Sequence, residues 1–470
     1  MSKQFYITTT LPYVNGEPHV GFALEITEAD AIARFHKMMG DDVVFNTGTD
    51  EHGVKIFNKA HEMGKTPKEY TDEMSVHFKD LKHILNISYT NFIRTTDPHH
   101  IKSAQYFWEL CKSKGDIYKK EYQTKYCVGC ELEKTDSELV DGKCPDHSNL
   151  VIEFRQEENY FFRFSKYQQD LLDLYDNNPH FVVPAKRLNE IRSLVKSGLN
   201  DFSVSRLREK MPWGIAVPGD EAHVMYVWFD ALVNYISTLG WPEEANFENF
   251  WPGVQIAGKD NLRQQSAMWQ AMLLSAGIAP SSQILINGFI VVDGQKMSKS
   301  LGNVISPKDL VDKFGQEGTR YLLLSLGNLG DDFDISWDKL KIKYNADLAN
   351  NLGNLVSRVV KLSENISDYI APVTADKPSL EFINLMSEYR IFDTLKYIWN
   401  IVDESNKLIN ETELWLLVKN NPKEFESIMG RLLINLSNIS LYLQPFLPET
   451  SDRIREILNT RKPEPLFPRI

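Results

Sequence analysis

Apolar residues recur along this chain with two periods, near 2 and near 3.6, and the places where the period changes outline its elements. Residues 4–10 (Gln-Phe-Tyr-Ile-Thr-Thr-Thr) are β-branched and aromatic and predict a short buried strand. A Pro/Asn/Gly loop from Leu11 to Pro18 follows. A helix is then predicted from His19 to about Met39, with Leu24, Ile26, Ala29, Ile32, Ala33 and Phe35 at mainly helical spacing and Gly40 as its stop. Val43-Val44-Phe45 predicts a second buried strand, running out into Thr47-Gly48-Thr49-Asp50-Glu51-His52-Gly53. Strand, helix and strand make a βαβ unit, and ligands of such sheets sit at the carboxyl ends of the strands. Both of those ends are polar loops containing glycine.

Residues 54–115 read as mostly helical, Tyr122 to about Phe164 as short segments around a cysteine cluster, and 165–200 as helical again. Ala222–Val227, Val254–Ala257 and Gln283–Ile286 read as buried strands separated by helices, completing the sheet. From Pro307 the pattern is nearly all helical, with amphipathic stretches at 338–365, 380–410, 414–419 and 424–444. The predicted fold class is α/β: a split Rossmann-like nucleotide-binding domain with a metal-stapled insertion and a C-terminal α-helical bundle.

Composition narrows the function classes. The chain has 470 residues, 42% hydrophobic and 25% charged, which suits several globular domains rather than disorder. No apolar run reaches the roughly 18 residues that a membrane span needs, and Met1 to Tyr6 carries no signal-peptide pattern. A cytoplasmic protein is expected, and a monomer, since no further module follows Ile470. The net charge of −12 argues against a non-specific nucleic-acid coat. The acidity is uneven, because residues 351–470 hold 14 Lys+Arg against 16 Asp+Glu.

Four cysteines are no disulfide framework. Cys111 lies in an apolar helical stretch and reads as core. The other three belong to Cys127-x2-Cys130-x13-Cys144-x2-His147. Three thiolates and an imidazole fill the four positions of tetrahedral zinc and leave none for water, so the zinc knuckle reads as structural.

Two further motifs point to polyphosphate chemistry. Pro12-Tyr13-Val14-Asn15-Gly16-Glu17-Pro18-His19-Val20-Gly21 joins a strand to a helix, aiming free N–H groups, the helix dipole and an imidazole at one place. Asp293-Gly294-Gln295-Lys296-Met297-Ser298-Lys299-Ser300-Leu301-Gly302-Asn303 puts two lysines three apart in a Gly/Ser-rich loop, without the spacing of a P-loop. Two ammonium groups there can close on a triphosphate and neutralise charge on leaving pyrophosphate.

With these motifs the chain resembles the class I aminoacyl-tRNA synthetases. Their His-x-Gly-His and Lys-Met-Ser-Lys-Ser signatures match His19-Val20-Gly21-Phe22 at three of four positions and Lys296 to Ser300. Within that family it is most similar to the methionyl enzymes. That match rests on Leu11-Pro12-Tyr13-Val14-Asn15-Gly16, Thr47 to Gly53, Tyr226-Val227-Trp228-Phe229-Asp230-Ala231-Leu232, Gly258-Lys259-Asp260 and Asn345-Ala346-Asp347-Leu348-Ala349-Asn350.

The resemblance implies that methionine is activated with Mg2+-ATP to methionyl-adenylate and transferred to tRNA(Met). It implies catalytic roles for His19, Lys296 and Lys299, and ATP binding by His19, Gly21, Gly258, Asp260, Ile290 and Lys299. Methionine binding falls on Leu11, Tyr13, Asp50, Trp228, Ala231, Tyr235, Gln265 and Trp269, with Asp50 at the ammonium position. Anticodon contacts fall on Asn354, Arg358 and Trp415, beside a basic track of Lys339, Lys341, Lys343, Arg358 and Lys361. The implied divisions are catalytic halves at 1–115 and 221–290, a connective insertion at 116–220, the lysine loop and stem-contact region at 291–340, and an anticodon-binding bundle at 341–470. The insertion is too short for the large editing domain of the Ile, Val and Leu enzymes.

The chain departs from the family pattern at four places. Phe22 replaces the second His of the first signature, Asn261 an apolar residue, and Gln265 and Asn287 a His each. Gln can keep a hydrogen bond but cannot titrate.

Overall fold

The computed structural model describes residues 3–127, 132–134, 139–145, 148–296, 304–366, 369, 371–372, 377–462 and 464–470. Three strands, β1 (Gln4–Thr8), β2 (Asp42–Thr49) and β3 (Asn91–Arg94), form half of a six-stranded parallel sheet. In sheet order they run β3, β2, β1, followed by Val254–Gly258, Gln283–Asn287 and Val182–Val183. The chain builds outward from β1 in one direction and later returns to its other side. β1 and Val254–Gly258 therefore flank the point where strand order reverses, and a crevice opens beyond their carboxyl ends.

Alternate residues of each strand face opposite sides of the sheet. Phe5, Ile7 and Leu285 join a core with helix α1 (Val20–Met38), while Tyr6, Ile284 and Ile286 join a second core beneath the other face. The first core continues without a break into the C-terminal helices, as far as Leu466. Among the described residues no helix is long and apolar enough to cross a membrane.

The predicted βαβ unit stands, although β2 reaches Thr49, further than the apolar triplet alone marked. Residues 54–115 are mostly helical, as expected, and also contain β3, an edge strand whose Phe-Ile pair is too short to show a period. Three expectations need correction. Val182–Val183 interrupts the helical 165–200 stretch and pairs with Gln283–Asn287. Asp220–Met225 belongs to a separate antiparallel sheet with Ser205–Leu207 and Ala216–Val217, and Val227 already begins a helix. The 380–410 stretch is two helices, Leu380–Ser387 and Ile391–Glu411, broken where Tyr389 takes a φ of 57°.

The insertion also differs from short segments. Ile117–Cys127 and Glu153–Phe162 form a long antiparallel ribbon, in register from Ile117↔Phe162 to Tyr126↔Glu153. Both strands carry many charged residues, and Lys119 reaches diagonally across the ribbon to Glu158 at 3.0 Å, so little apolar alternation marks it. Cys111 is fully buried, as expected, and burial pushes its thiol up to about 12.

One buried ion pair ties the sheet to the helical region. Arg320, in the helix Pro307–Leu324, is fully buried; one Nη lies 2.8 Å from Asp30 of α1. Its other N–H groups donate to the carbonyls of Phe446 (2.7 Å), Leu85 (2.9 Å) and Pro445 (3.3 Å). Asp30 also accepts from Arg34 (2.7 Å) and from the Ser88 N–H (2.6 Å) and hydroxyl (2.7 Å). Burial opposes its charge, but the two guanidinium groups and Ser88 outweigh burial and hold the carboxyl below its ordinary value.

Helix α1 carries two more buried acids. Glu25 accepts from the Thr10 N–H (2.7 Å) and hydroxyl (2.6 Å), and burial pushes it up to about 7. Glu28 accepts from Asn287 Nδ2 at 2.5 Å; burial, then the neighbouring Glu25, raise it to about 8. The Asn287 oxygen has no hydrogen-bond partner, although buried. A protonated Glu28 can donate to it and complete an acid–amide pair.

Two outcomes follow. Arg320→Met removes one of the two guanidinium partners of Asp30 and the donor to three buried carbonyls, so chemical denaturation should show a loss of about 3–5 kcal/mol; a loss below about 1 kcal/mol would contradict the joint. Glu28 retains a proton when folded that the unfolded chain loses near its ordinary value of 4.5, so it draws stability down as pH rises towards about 8. The stability of Glu28→Gln relative to wild type should therefore climb across that window and level off above it. A difference independent of pH would reject the neutral pair.

Candidate active site

Beyond β1, the loop from Thr9 to Pro18 is held from two sides. Glu25 pins Thr10 from α1. On the other side, the Asp50 N–H donates to the Pro12 carbonyl (3.0 Å) and the Val14 N–H to the Asp50 carbonyl (3.2 Å), so Tyr13 bridges to Asp50 in parallel. The two strands that part at the sheet's end are thus stitched together again just above it.

His19 is the N-cap of α1. It is exposed, and its Nδ1 accepts the Gly21 N–H at 3.1 Å. A Cβ at residue 21 would come within 3.0 Å of that imidazole, so glycine is what lets the ring fold back over the helix end. The next N–H, of Val20, donates to the Ile305 carbonyl at 3.0 Å. The His19 turn therefore lies against the segment at Ile305, 285 positions on from Val20.

The lysine loop leaves from a hairpin of Ile290–Val292 and Gln295–Lys296, turned by Asp293 (φ 51°) and Gly294 (φ 73°), an Asp-Gly pair suited to a tight two-residue turn. Ile290 is buried, and its strand also pairs in parallel with Phe333–Ile335. The backbone of Lys296 is in the hairpin; Met297 to Asn303, including Lys299, lie outside the described residues.

Gly258 ends its strand at the switch point, and Asp260 Oδ1 would sit 2.7 Å from a Cβ there. Lys259 anchors this corner, pairing with Asp332 at 2.7 Å and covering the Phe289 ring at 4.1 Å. Lysine hydrogen bonding and the Phe289 N–H hold Asp332 below its ordinary value.

A small, partly enclosed cavity of about 30 Å³ lies beside these elements. Six of the expected methionine-binding residues line it: Leu11, Asp50, Trp228, Ala231, Tyr235 and Gln265. Thr10, Leu232, Asn234 and Asn261 complete the wall. Trp269 does not line the cavity. It is fully buried behind Tyr235, edge-on with ring centres 5.9 Å apart. Tyr13 also stands outside the lining, over Gly53.

The electrostatics of the cavity are asymmetric. Asp50 is buried, one of its carboxylate oxygens has no partner, and burial, then the charge of Asp230, raise it well above its ordinary value. Asp230 is fully buried, with His52 Nδ1 at 3.0 Å and His100 Nε2 at 3.5 Å. Burial opposes its ionisation, but the two neighbouring histidines, His52 foremost, prevail and hold it below its ordinary value. Asp50 is thus a carboxylate whose ionisation a cation in the cavity would stabilise, and a ligand ammonium meets that need. Burial pushes the Tyr235 hydroxyl up, so it remains a neutral hydrogen-bonding group.

The sequence motifs assign no role to His52, Asp230 or His100. The first two lie within Thr47–Gly53 and Tyr226–Leu232, but His100 carries no local signal. Its role depends on the helix Pro98–Ser113 packing against the turn at Asp230 and Ser237, where its Nδ1 meets the Ser237 hydroxyl at 2.9 Å. Phe22 is buried against Phe78 rather than facing the His19 turn.

In the helical region, Asn354 and Arg358 lie on the helix Asn354–Ser363, and Arg358 donates to Asn410 Oδ1 at 2.7 Å. Trp415 follows on the helix Leu414–Asn420 and is 47% exposed, unusual for so large an apolar side chain. The basic track is not uniformly free charge. Lys339, Lys343 and Lys361 pair with Asp334, Asp347 and Glu364 at 2.7, 2.9 and 2.6 Å. Of the metal-site residues, Cys127 and Cys144 share one small buried cluster with Ile152 and Leu139. Cys130 and His147 lie outside the described residues.

Comparison with known proteins agrees with this fold. Residues 5–150 and 147–360 match the family model described as "tRNA synthetases class I (M)". The chain is 43% identical to the methionine–tRNA ligase of Clostridium tetani, over 97% of this chain and 74% of that protein. It is 39% identical to that of Brucella melitensis, over 97% and 92%. Among solved structures it is similar to Mycobacterium tuberculosis methionyl-tRNA synthetase in complex with methionyl-adenylate, with a TM-score of 0.87 and 33% identity over 99% of this chain and 98% of that one. The apo form of the same enzyme gives a TM-score of 0.83 and 30% identity. With matches at this level over nearly its whole length, the chain belongs to the class I aminoacyl-tRNA synthetases, in the methionyl-tRNA synthetase family.

Proposed function

We propose that this chain activates methionine with ATP to methionyl-adenylate and transfers the methionyl group to tRNA(Met). The observation that carries this reading is the buried Asp50 carboxylate, one oxygen of which has no partner, in a semi-apolar cavity near the His19 turn at the sheet's switch point. The ammonium of methionine pairs with Asp50, and its side chain lies among Leu11, Trp228, Ala231, Tyr235 and Gln265, with Tyr13 and Trp269 supporting the wall. Mg2+-ATP occupies the crevice along Gly21, Gly258, Asp260 and Ile290. The methionine carboxylate attacks the α-phosphate in line, and pyrophosphate leaves. Little proton transfer is needed, so catalysis is positioning and charge stabilisation. His19 and Lys299 act on the phosphates, with Lys296 assisting loop closure. Asn354, Arg358 and Trp415 read the anticodon by stacking and hydrogen bonds to base edges. The domain divisions at 115, 220, 290 and 340 serve these steps.

ATP–pyrophosphate exchange across the twenty amino acids tests the reading, with a methionine-dependent signal expected. Asp50→Asn should raise the KM for methionine by about two orders of magnitude, because it removes a charged partner in a desolvated site. Exchange dependent on another amino acid would overturn the assignment.

We also propose that Cys127, Cys130, Cys144 and His147 hold one structural zinc. The donor set suits tetrahedral zinc, and the common burial of Cys127 and Cys144 supports it. Bound zinc would staple the tip of the insertion, where the described residues form only a small apolar cluster. Metal analysis of the purified chain should give about one zinc per chain, falling in Cys144→Ser. A zinc-free protein from zinc-replete cells would reject the site.

A further inference from the structure

The inner wall of the cavity is more polar than a thioether requires. Gln265 is 1% exposed, and its Oε1 has no hydrogen-bond partner. Its Nε2 donates to the Tyr235 hydroxyl at 2.6 Å. The side chain is aimed there by the π-helical turn Gln264–Met268, whose Gln265 carbonyl is held by Gln270 Nε2 at 2.7 Å. Asn261 adds a second amide to the same cavity.

This pair always leaves a donor for the ligand. With Nε2 bonded to Tyr235, the tyrosine proton is available to the cavity. With the amide turned over, Oε1 accepts that proton and the NH2 is available instead. A thioether sulfur is a weak acceptor and leaves the donor poorly satisfied. A sulfoxide oxygen is a strong acceptor, and it is the oxygen that methionine gains on oxidation. Buried polar groups left unpaired penalise an apolar ligand, whereas the same groups welcome one that pairs with them.

Resting on the reading of this cavity as the methionine site, we propose that Asn261 and Gln265 form a polar wall that admits a side chain bearing a hydrogen-bonding oxygen, so that the chain activates methionine sulfoxide as well as methionine. No covalent step is added, because the carboxylate reacts as it does in methionine.

The test is ATP–pyrophosphate exchange with methionine, norleucine and methionine sulfoxide freed of methionine, with the sulfoxide adenylate identified by mass. Wild type should use the sulfoxide with kcat/KM about 10²-fold below methionine. Asn261→Ile and Gln265→Leu should each widen that gap roughly tenfold and narrow the gap between methionine and norleucine. The ratios are the readout, because a merely structural defect lowers all three substrates together. Sulfoxide exchange at background while methionine is active, or ratios unchanged in both variants, would overturn the polar wall. Absence of exchange with methionine itself would instead reject the underlying reading, and this inference with it.

Discussion

Arg320 sits where four segments meet, and the arrangement of the catalytic sheet relative to the helical region depends on it. A guanidinium group has five N–H donors in a rigid plane. Here they reach a carboxylate on α1 and backbone carbonyls at Leu85, Pro445 and Phe446, with no exposure to water. A buried pair of this kind is weak as a source of net stability but demanding about geometry. A shift of any one segment leaves a charge or a carbonyl unpaired. The continuous apolar core supplies the attraction between the two regions, and Arg320 selects one way of docking them.

Helix α1 is the other half of that joint, and it concentrates functional constraint. Within twelve residues the helix and its N-cap carry His19, Gly21, Glu25, Glu28 and Asp30. Its first turn presents His19 at the crevice, and Glu25 fixes the loop that brings Thr10 and Leu11 to the cavity. Glu28 reaches Asn287 at the end of a sheet strand, and Asp30 reaches Arg320. Burying three carboxyls on one helix is costly. Two of them, Glu25 and Glu28, meet that cost by holding on to protons, and one by pairing with arginines. A His at residue 287 could have paired with an ionised Glu28; the asparagine suits a neutral one.

Much of the site was legible from residue order, because its chemistry is carried by local turns. The His19 turn needs only a strand, a proline-rich loop and a helix start. Asp50, Trp228 and Gln265 were placed by motif, and they do share one cavity. Legibility failed where an element is too short or too polar to show a period. β3 and Val182–Val183 are edge strands, and the ribbon of the insertion is rich in charged residues, with Lys119 reaching diagonally to Glu158. Asp220–Met225 looked like a strand of the parallel sheet because alternation reports that a strand is half-buried, not which sheet buries it.

The residue order alone settled the βαβ start, the helical C-terminal third and the family. Each of these rests on interactions between near neighbours or on a compact run of residues. Folding in three dimensions settled what depends on partners far apart in the chain. It put His100 and His52 around Asp230, and so left Asp50 as the carboxylate in want of a cation. It brought Val20 against Ile305 and Arg320 against Asp30. Charge states and docking angles follow from burial and distance, and neither is a property of any short stretch of sequence.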